Sequence, residues 1–326
     1  MQRLRILIWI RKWVSLSMEC GDDKKWKLFS KLEDHHHHRH HESEAALSLA
    51  IQGFLSAISI SLSDLGFDSN KSTSEIISFP WINRCFQLLR IQHRAFAKLI
   101  VEIDYPVRKH EASSGEGFFQ YTLRLLELLN SISSCIADLS QARLRLSHAL
   151  SLVESSPSSA IDRLKPIGTS SFKNSSIKGE IGEISVEVKN SEKESVVNRA
   201  LTIMKQIGSW VCGLVISGLS GEVEVFMEMR RSTGKLGVSA LDRLDFTVHK
   251  AICESGARLK EVQEVNDAVE LLAASMADRK RAEDLQKKLA VLEKETDDFK
   301  KEVDSLFSDV LEERTKLLDS LRRTYQ

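Results

Sequence analysis

The positions of the four prolines constrain the fold of this chain more than any other feature of its sequence. Pro80, Pro106, Pro157 and Pro166 lie at the edges of long amphipathic stretches and never inside one. Because proline lacks a backbone N–H donor and clashes with the preceding helical turn, the segments between these prolines are free to form long helices. The sequence therefore predicts an all-α protein.

Composition narrows the class of protein and of partner. Apolar residues make up 42% of the 326 residues and charged residues 28%, which is typical of a folded globular or coiled-coil chain. Lysine plus arginine and aspartate plus glutamate both total 46, so no basic field is present that would attract nucleic acid. The five cysteines are widely spaced and never form a C-x-x-C pair, which favours a reducing compartment.

Residues 1–17 form a basic leader that contains no acidic residue: Arg3, Arg5, Arg11 and Lys12 surround a short apolar cluster. Its uninterrupted apolar run covers only Ile6–Ile10, far below the ~20 residues that a bilayer span requires. Two interpretations remain open. The leader is either a membrane-surface or plastid-targeting segment, or an extension that precedes a second start at Met18.

A histidine run, His35–His41, completes the predicted disordered region at residues 1–43. Clustered imidazoles bind zinc or nickel only when their geometry is fixed, and a polar low-complexity run does not fix it. We expect a solvated linker here and no metal site.

Residues 44–155 are predicted to hold three helices. The first carries apolar residues at steps of three and four and ends at Gly66. The second starts at Pro80 and stops at Asp104, and His93 on its apolar side is expected to be a packed core imidazole rather than a ligand. A polar loop through Gly115–Gly117 leads to the third and most apolar helix. Because this connection is short, the second and third helices are predicted to form an antiparallel hairpin.

The region at residues 156–192 has a different composition, rich in serine and poor in periodic apolar residues. Such a stretch cannot bury enough apolar surface to offset the entropy lost on ordering, so a flexible linker is predicted. Ser156, which precedes Pro157, is a candidate phosphorylation site in it.

The final region, residues 193–326, begins with the most apolar part of the chain, Ile207–Leu219. Lys205 and Glu222 enclose only 16 residues, which is short for a membrane span. A buried helix that packs closely at its glycines is favoured over membrane insertion. If the segment does enter a membrane, the residues in contact with lipid would be Trp210, Val211, Leu214, Val215 and Ile216.

Two long helices are predicted after this segment. The first spans about residues 241–272, ends near Ser275 and turns back into the second, so that they form another hairpin. The second has the cleanest periodicity of the chain, with alternating steps of four and three that mark a coiled-coil-like seam for packing against another helix. The seam residues are Leu285, Leu289, Leu292, Phe299, Val303, Leu306, Val310 and Leu317. The predicted architecture is an elongated antiparallel helical bundle formed by regions 44–155 and 193–326.

The sequence contains no recognisable reaction centre. G-x-S-x-G, H-E-x-x-H, G-x-G-x-x-G and C-x-x-C are absent, and the acidic pairs of the last helix fall on its charged side. We therefore predict no catalytic, cofactor-binding or metal-binding residues, and a protein that is not an enzyme.

Three segments resemble the plant BYPASS family. The residues Phe79-Pro80-Trp81-Ile82, continued through His93 to Tyr105-Pro106, look like its opening helix; Tyr121–Leu152 is similar to its second helix, and Ala200–Gly221 to its glycine-bearing apolar stretch. The likeness covers roughly residues 50–322. It implies a role in plant development, in which a root-derived mobile signal that arrests shoot growth is restrained.

Together these observations predict a non-enzymatic helical interaction protein. Its expected partners are other proteins that bind helical surfaces, with peripheral membrane contact as an addition and no nucleic acid. Its expected location is the cytoplasm or an internal membrane, or a plastid if residues 1–17 are a transit peptide. The alternative is a membrane-inserted protein, anchored through Ile207–Leu219 and linked to membrane trafficking.

Overall fold

The computed structural model describes residues 41–66, 77–105, 113–168, 192–233, 239–275 and 278–322. Helices account for 89% of these residues, and no strand occurs among them, which confirms the predicted all-α class. In chain order the helices are α1 (His41–Asp64), α2 (Phe79–Glu102), α3 (Ser113–Ser151), α4 (Pro157–Arg163), α5 (Glu192–Ser220), α6 (Val223–Thr233), α7 (Ser239–Ser255), α8 (Lys260–Ala274) and α9 (Arg279–Arg322). The basic leader and nearly all of the histidine run lie outside the described residues.

Helix α5 is the centre of the bundle. It packs against α1, α2, α3 and α6, and every residue from Ile207 to Ser220 is buried. A helix that is apolar on all sides must be surrounded either by protein or by lipid. In this structure protein surrounds it, in agreement with the buried helix favoured from the sequence.

Three glycines allow the neighbours of α5 to come close on different sides. A step of five residues turns a helix by about 140°, so Gly208, Gly213 and Gly218 point in different directions. A Cβ added at Gly213 would lie 2.7 Å from the Cβ of Met229 on α6. At Gly218 the nearest atom is Ile82 Cδ1 of α2, at 3.0 Å. The five-residue spacing therefore serves close packing inside the bundle.

Helix α2 begins at the predicted place and is capped from a distant part of the chain. Ser78 is the extended N-cap residue, Pro80 follows in the first turn, and the backbone N–H of Phe79 donates to both carboxylate oxygens of Glu261, at 3.1 Å. The helix ends at Glu102, and Asp104 adopts a positive φ of 47° just beyond it. The stop predicted at Asp104 is therefore confirmed.

Helices α2 and α3 contact each other through side chains near their connection, as in the stacked rings of Phe96 and Phe118, whose centroids are 5.6 Å apart. Helices α5 and α9 each pack against both α2 and α3. The loop predicted through Gly115–Gly117 is wrong, since α3 starts at Ser113.

The long helix predicted over residues 241–272 is divided into α7 and α8. Gly256, with φ of 82°, ends α7, because the left-handed region is open to glycine at little cost. The next residues enter the core: Leu259 N donates to Gly218 O at 3.2 Å and Lys260 N donates to Ile77 O at 2.8 Å. These bonds tie the start of α8 to the end of α5 and to the segment before α2.

Part of the predicted flexible linker is ordered. Residues 157–163 form α4, and residues 164–168 run along α8 with Leu164 and Ile167 buried. The side chain of Asn266 binds the backbone of Ile167 on both sides: Ile167 N donates to Asn266 Oδ1 at 2.7 Å, and Asn266 Nδ2 donates to Ile167 O at 3.1 Å. The rest of the linker, residues 169–191, lies outside the described residues.

Helix α9 is the longest element, with 44 residues and a length of about 66 Å at ~1.5 Å per residue. It packs against α3, α8 and α2, so α8 and α9 form the predicted C-terminal hairpin.

Candidate functional site

The coiled-coil-like seam of α9 is occupied by the protein itself. Its members from Leu285 to Val310 are at most 3% exposed, and the side chain of Leu317 lies outside the described residues. At the middle of the seam, the Phe299 ring contacts Phe86 edge-on with a centroid separation of 5.3 Å, and Phe79 at 6.0 Å. The seam is therefore packed against the protein's own helices along most of its length rather than free for a partner.

The residues proposed to contact lipid are likewise inside the bundle. Trp210, Val211, Leu214, Val215 and Ile216 are each 0% exposed. By length and composition, two described helices are apolar enough to cross a membrane, one within Glu44–Asp64 and one within Glu192–Ser220. The first is only 33% buried and the second 83% buried, so protein covers α5 far more completely than α1.

A buried polar cluster joins α2 to α3 beside Gly208. Gln92 Nε2 donates to Tyr121 Oη at 2.8 Å, and His93 Nε2 lies 3.0 Å from the same oxygen. Gln92 is 0% exposed, and His93 and Tyr121 are 5% exposed. Because water and solutes cannot reach these groups, the cluster holds two helices together rather than acting on a substrate. His93 is a core imidazole, as predicted.

A second buried cluster centres on the carboxylate of Asp245 in α7. Trp210 Nε1 of α5 donates to Asp245 Oδ1 at 3.0 Å, and Arg230 Nε of α6 donates to Oδ1 at 2.9 Å and to Oδ2 at 2.7 Å. Asp245 is 6% exposed, so little water reaches its carboxylate. The guanidinium of Arg230 and the indole N–H of Trp210 balance its charge instead. Three consecutive helices are thereby fixed to one another.

The cysteines are structural where they are buried. Burial raises the pKa of Cys135 and of Cys212 to about 12, and it raises that of Cys85 further still. Thiols with such pKa values are poor nucleophiles at neutral pH. Cys253 is exposed, and its Sγ lies 3.6 Å from His249 Nε2. Within the described parts of the chain, no three histidine, cysteine or acidic residues are grouped as a metal site would require.

The open side of α9 carries the features that a partner can reach. Ion pairs fasten it to the rest of the bundle: Arg90 Nη1 of α2 lies 2.7 Å from Asp309 Oδ2, and Arg143 Nη2 of α3 lies 2.9 Å from Glu293 Oε1. Beside the second pair, α3 and α9 enclose a surface groove of about 380 Å³. It is lined by Arg143, Ser147, Leu150, Ser151, Gln286, Leu289, Ala290 and Glu293.

This groove is our candidate functional site. The groove itself combines the apolar side chains of Leu150, Leu289 and Ala290 with the Arg143–Glu293 ion pair, which suits contact with another helix rather than bond-making. The sequence alone does not mark the groove, because it arises where α3 meets α9 and neither helix alone forms it.

Comparisons with known proteins identify plant relatives. The chain is 26% identical over 276 residues to the protein named BPS1, chloroplastic, of Arabidopsis thaliana. The aligned region covers 77% of this chain and 78% of that protein. It is 25% identical over 248 residues to UPF0496 protein 4 of Oryza sativa subsp. japonica, and this aligned region covers 68% of the chain. The chain spans only 54% of the length of that rice protein. No family model matches the chain, and no solved structure matches it.

These relatives confirm the resemblance to the BYPASS family that was drawn from the helix residues. The chain is similar to proteins of the BYPASS family. Neither relative carries the name of an enzyme family.

Proposed function

We propose that this BYPASS-like chain is a non-enzymatic helical interaction protein that regulates plant development. In this proposal it restrains a root-derived mobile signal that otherwise arrests shoot growth, as the family resemblance implies. The observation that carries the proposal is the similarity to the Arabidopsis protein across most of the length of both chains.

The interior of the bundle supports a non-enzymatic role. The two buried polar clusters each connect helices of the bundle through hydrogen bonds in its interior. Three of the described cysteines are buried thiols with raised pKa values. These groups lie in the interior of the bundle, and none is placed to meet a substrate.

We further propose that a protein partner binds along the groove between α3 and α9. An amphipathic helix with small apolar residues and a charge on either flank would match the apolar Leu150, Leu289 and Ala290 and the Arg143–Glu293 pair. Helices in grooves are anchored by a few apolar side chains, so two substitutions are enough to test this.

Complementation in plants tests the developmental role. The chain is expressed in an Arabidopsis line that lacks BPS1, and shoot growth is scored after grafting the transformed root to a wild-type shoot. The proposal predicts that shoot growth continues above a root that expresses the chain. Continued arrest, with the folded protein present at normal abundance in the root, would contradict it.

Two pairs of substitutions locate the partner surface in the same assay. The Ser151→Glu/Ala290→Glu pair adds charge at two exposed residues that line the groove and is expected to abolish complementation. The control pair, Leu123→Glu/Leu311→Glu, alters the same two helices at residues that are 47% and 46% exposed and away from the groove. It is expected to complement fully. Equal complementation by both pairs would exclude the groove.

The membrane-anchored alternative requires Ile207–Leu219 to leave the bundle, where every one of these residues is now buried. Carbonate extraction separates the two functions: an inserted helix stays in the lipid pellet, and a bundle protein is released. For location, we propose the cytoplasm or the surface of an internal membrane. Residues 1–17 fused to a fluorescent protein test the plastid alternative, which the name of the Arabidopsis relative supports.

A further inference from the structure

Helix α1 carries an exposed strip of apolar and small residues on the side that faces away from the core. Its two large side chains, Leu49 and Ile60, are 71% and 61% exposed. The strip follows alternating steps of three and four residues, and its members are Ala46, Leu49, Gly53, Ser56, Ile60 and Ser63. This is the spacing with which one helix packs along another. The strip therefore has the geometry of a second helix-packing seam, which the described parts of the bundle leave exposed.

The strip carries no charge that would select a partner of opposite charge. Residues 45–63 contain no acidic, basic or histidine residue. Two serines of this stretch donate to their own helix: Ser61 Oγ bonds to Ala57 O at 3.0 Å, and Ser63 Oγ bonds to Ser59 O at 2.8 Å. A helix that matches this strip is therefore expected to be uncharged as well, with apolar and small residues at its contact positions.

The arrangement of large and small residues is the same when the strip is read from either end. The second and fifth positions are the large residues Leu49 and Ile60, and the other four positions are small. Two copies can therefore pack antiparallel about a two-fold axis that passes between residues 54 and 55. Leu49 of one copy then meets Ile60 of the other, and Gly53 meets Ser56. An interface between identical chains requires this kind of self-complementarity.

The small residues at the centre of the strip allow the two backbones to come close. A Cβ added at Gly53 would meet no atom of its own chain within 4 Å, so the space outside this glycine is open. On either side of this centre, Leu49 of one copy and Ile60 of the other cover each other. Four large apolar side chains of the pair would thus be removed from water, which favours association.

We propose that α1 forms a homodimer interface, in which its exposed strip packs antiparallel against the strip of a second copy of this chain. The two-fold axis keeps the α7 helices of both copies on one side of the α1 pair. Helix α7 packs against α1, and its Phe246 is 68% exposed, so it adds apolar surface on that side. The strip contains no residue of the α3–α9 groove, so the dimer presents that groove twice.

The size of the contact predicts a weak dimer. Residues 46–63 extend over about 26 Å at ~1.5 Å per residue, and a helix is about 10 Å wide, a width that α7 roughly doubles. Each copy would thus contribute about 500 Å², or about 1,000 Å² for the pair. Because this area lies at the low end for specific complexes, we expect a dissociation constant in the micromolar range.

Analytical ultracentrifugation of the full-length protein tests the dimer. Between about 1 and 100 μM, the original protein is expected to change from monomer to dimer. The Leu49→Glu/Ile60→Glu pair places four carboxylates in the interface and is expected to weaken association at least about a hundredfold. The control pair, Leu144→Glu/Leu271→Glu, alters residues of α3 and α8 that are 57% and 53% exposed. It is expected to associate within about twofold of the original protein.

Disulfide cross-linking tests the antiparallel register. In a background with Cys20→Ser and Cys253→Ser, the three remaining thiols are buried. There, Leu49→Cys/Ile60→Cys is expected to give a disulfide-linked dimer on mild oxidation, because the two positions meet across the axis. Leu49→Cys alone is expected to stay unlinked, since its equivalents in the two copies lie about 16 Å apart along the helices at ~1.5 Å per residue. A disulfide tolerates a Cα separation of at most ~7 Å.

Circular dichroism verifies that each variant is folded, and a milder pair, Leu49→Ser/Ile60→Ser, accompanies the glutamate pair. Three results would overturn the proposal: a monomer at every concentration tested, a dimer that neither folded pair weakens, or cross-linking by Leu49→Cys alone as efficient as by the double variant. If the protein stays monomeric and the glutamate pair instead abolishes its sedimentation with phosphatidylcholine vesicles, the occupant of the strip is lipid and the homodimer is likewise excluded.

Discussion

Replacing Gly213 by alanine tests whether α5 is enclosed by protein on the side of α6. A Cβ at this position would lie 2.7 Å from Met229 Cβ and 2.8 Å from Met229 Cγ. Ordinary carbon contacts are ~3.5–4.0 Å, so the two helices would have to separate by about 1 Å. Met229 cannot relieve the contact by rotating, because its Cβ is fixed to the α6 backbone.

Two opposing effects determine how much Gly213→Ala changes the free energy of unfolding. Alanine has a higher helix propensity than glycine and by itself would stabilise α5 by about 1 kcal/mol. Overpacking a well-filled core costs about 1–3 kcal/mol, and contact with a backbone-fixed atom places this site at the upper end. The steric effect therefore wins, and we expect a net loss of about 2 kcal/mol in the free energy of unfolding.

Two other glycines provide matched controls. Gly53 lies in α1 with no atom within 4 Å of an added Cβ, so Gly53→Ala is expected to stabilise the protein by about 0.5–1 kcal/mol. At Gly208 the atom nearest to an added Cβ is Tyr121 Cε2 at 3.4 Å, an ordinary contact. Gly208→Ala should therefore leave the free energy of unfolding nearly unchanged. Urea unfolding followed by circular dichroism measures all three variants. If Gly213→Ala were as stable as Gly53→Ala, the packing of α6 on α5 would be refuted.

Three further substitutions test other contacts. Asp245→Ala leaves a buried indole N–H and a guanidinium without their acceptor, and we expect a loss of about 2–4 kcal/mol in urea unfolding; no loss would contradict the cluster. Asn266→Ala removes both of its hydrogen bonds to the Ile167 backbone and leaves that of Arg258, so limited proteolysis should cut residues 164–168 faster than in Asp267→Ala, whose side chain is exposed. Burial raises the pKa of Glu261, so its folded state binds a proton more tightly than its unfolded state. The stability of the original protein relative to Glu261→Gln should therefore increase as the pH is lowered from 7 towards 4.5, and the opposite slope would contradict this assignment.

The sequence predicts well those features that depend on one helix at a time. Steps of three and four residues identify the buried side of α9, and uniform apolarity identifies α5 as a helix covered on all sides. Pro80 and Asp104 mark the ends of α2, because proline and a left-handed residue act locally. In each case the physical cause lies within a few residues of the feature.

Features that depend on distant contacts were missed. The break between α7 and α8 depends on hydrogen bonds from Leu259 to Gly218 and from Lys260 to Ile77, and Gly256 was the local signal that was overlooked. The packing of α2 and α3 also depends on α5, which follows both in sequence and packs against each of them. A short connection between two helices does not indicate which later helix packs against both.

The candidate surfaces could be predicted from the sequence only in part. The uncharged stretch of α1 is visible in the sequence, but its exposure depends on which side packs against the bundle. Similarly, Val291 of α9 is exposed because the seam of that helix turns other residues inward. Patterns in the sequence identify apolar residues, and only the fold decides which of them a partner can reach.

Thiol labelling of the native protein, without lipid or detergent, tests most directly whether Ile207–Leu219 is the core of a helical bundle. Cys212 lies within this segment and is 0% exposed, whereas Cys253 is exposed on α7. Mass spectrometry after treatment with a water-soluble alkylating reagent should find Cys253 modified rapidly and Cys212 only after urea is added. Modification of Cys212 at the rate of Cys253 in native buffer would contradict the buried position of α5 and the bundle that surrounds it.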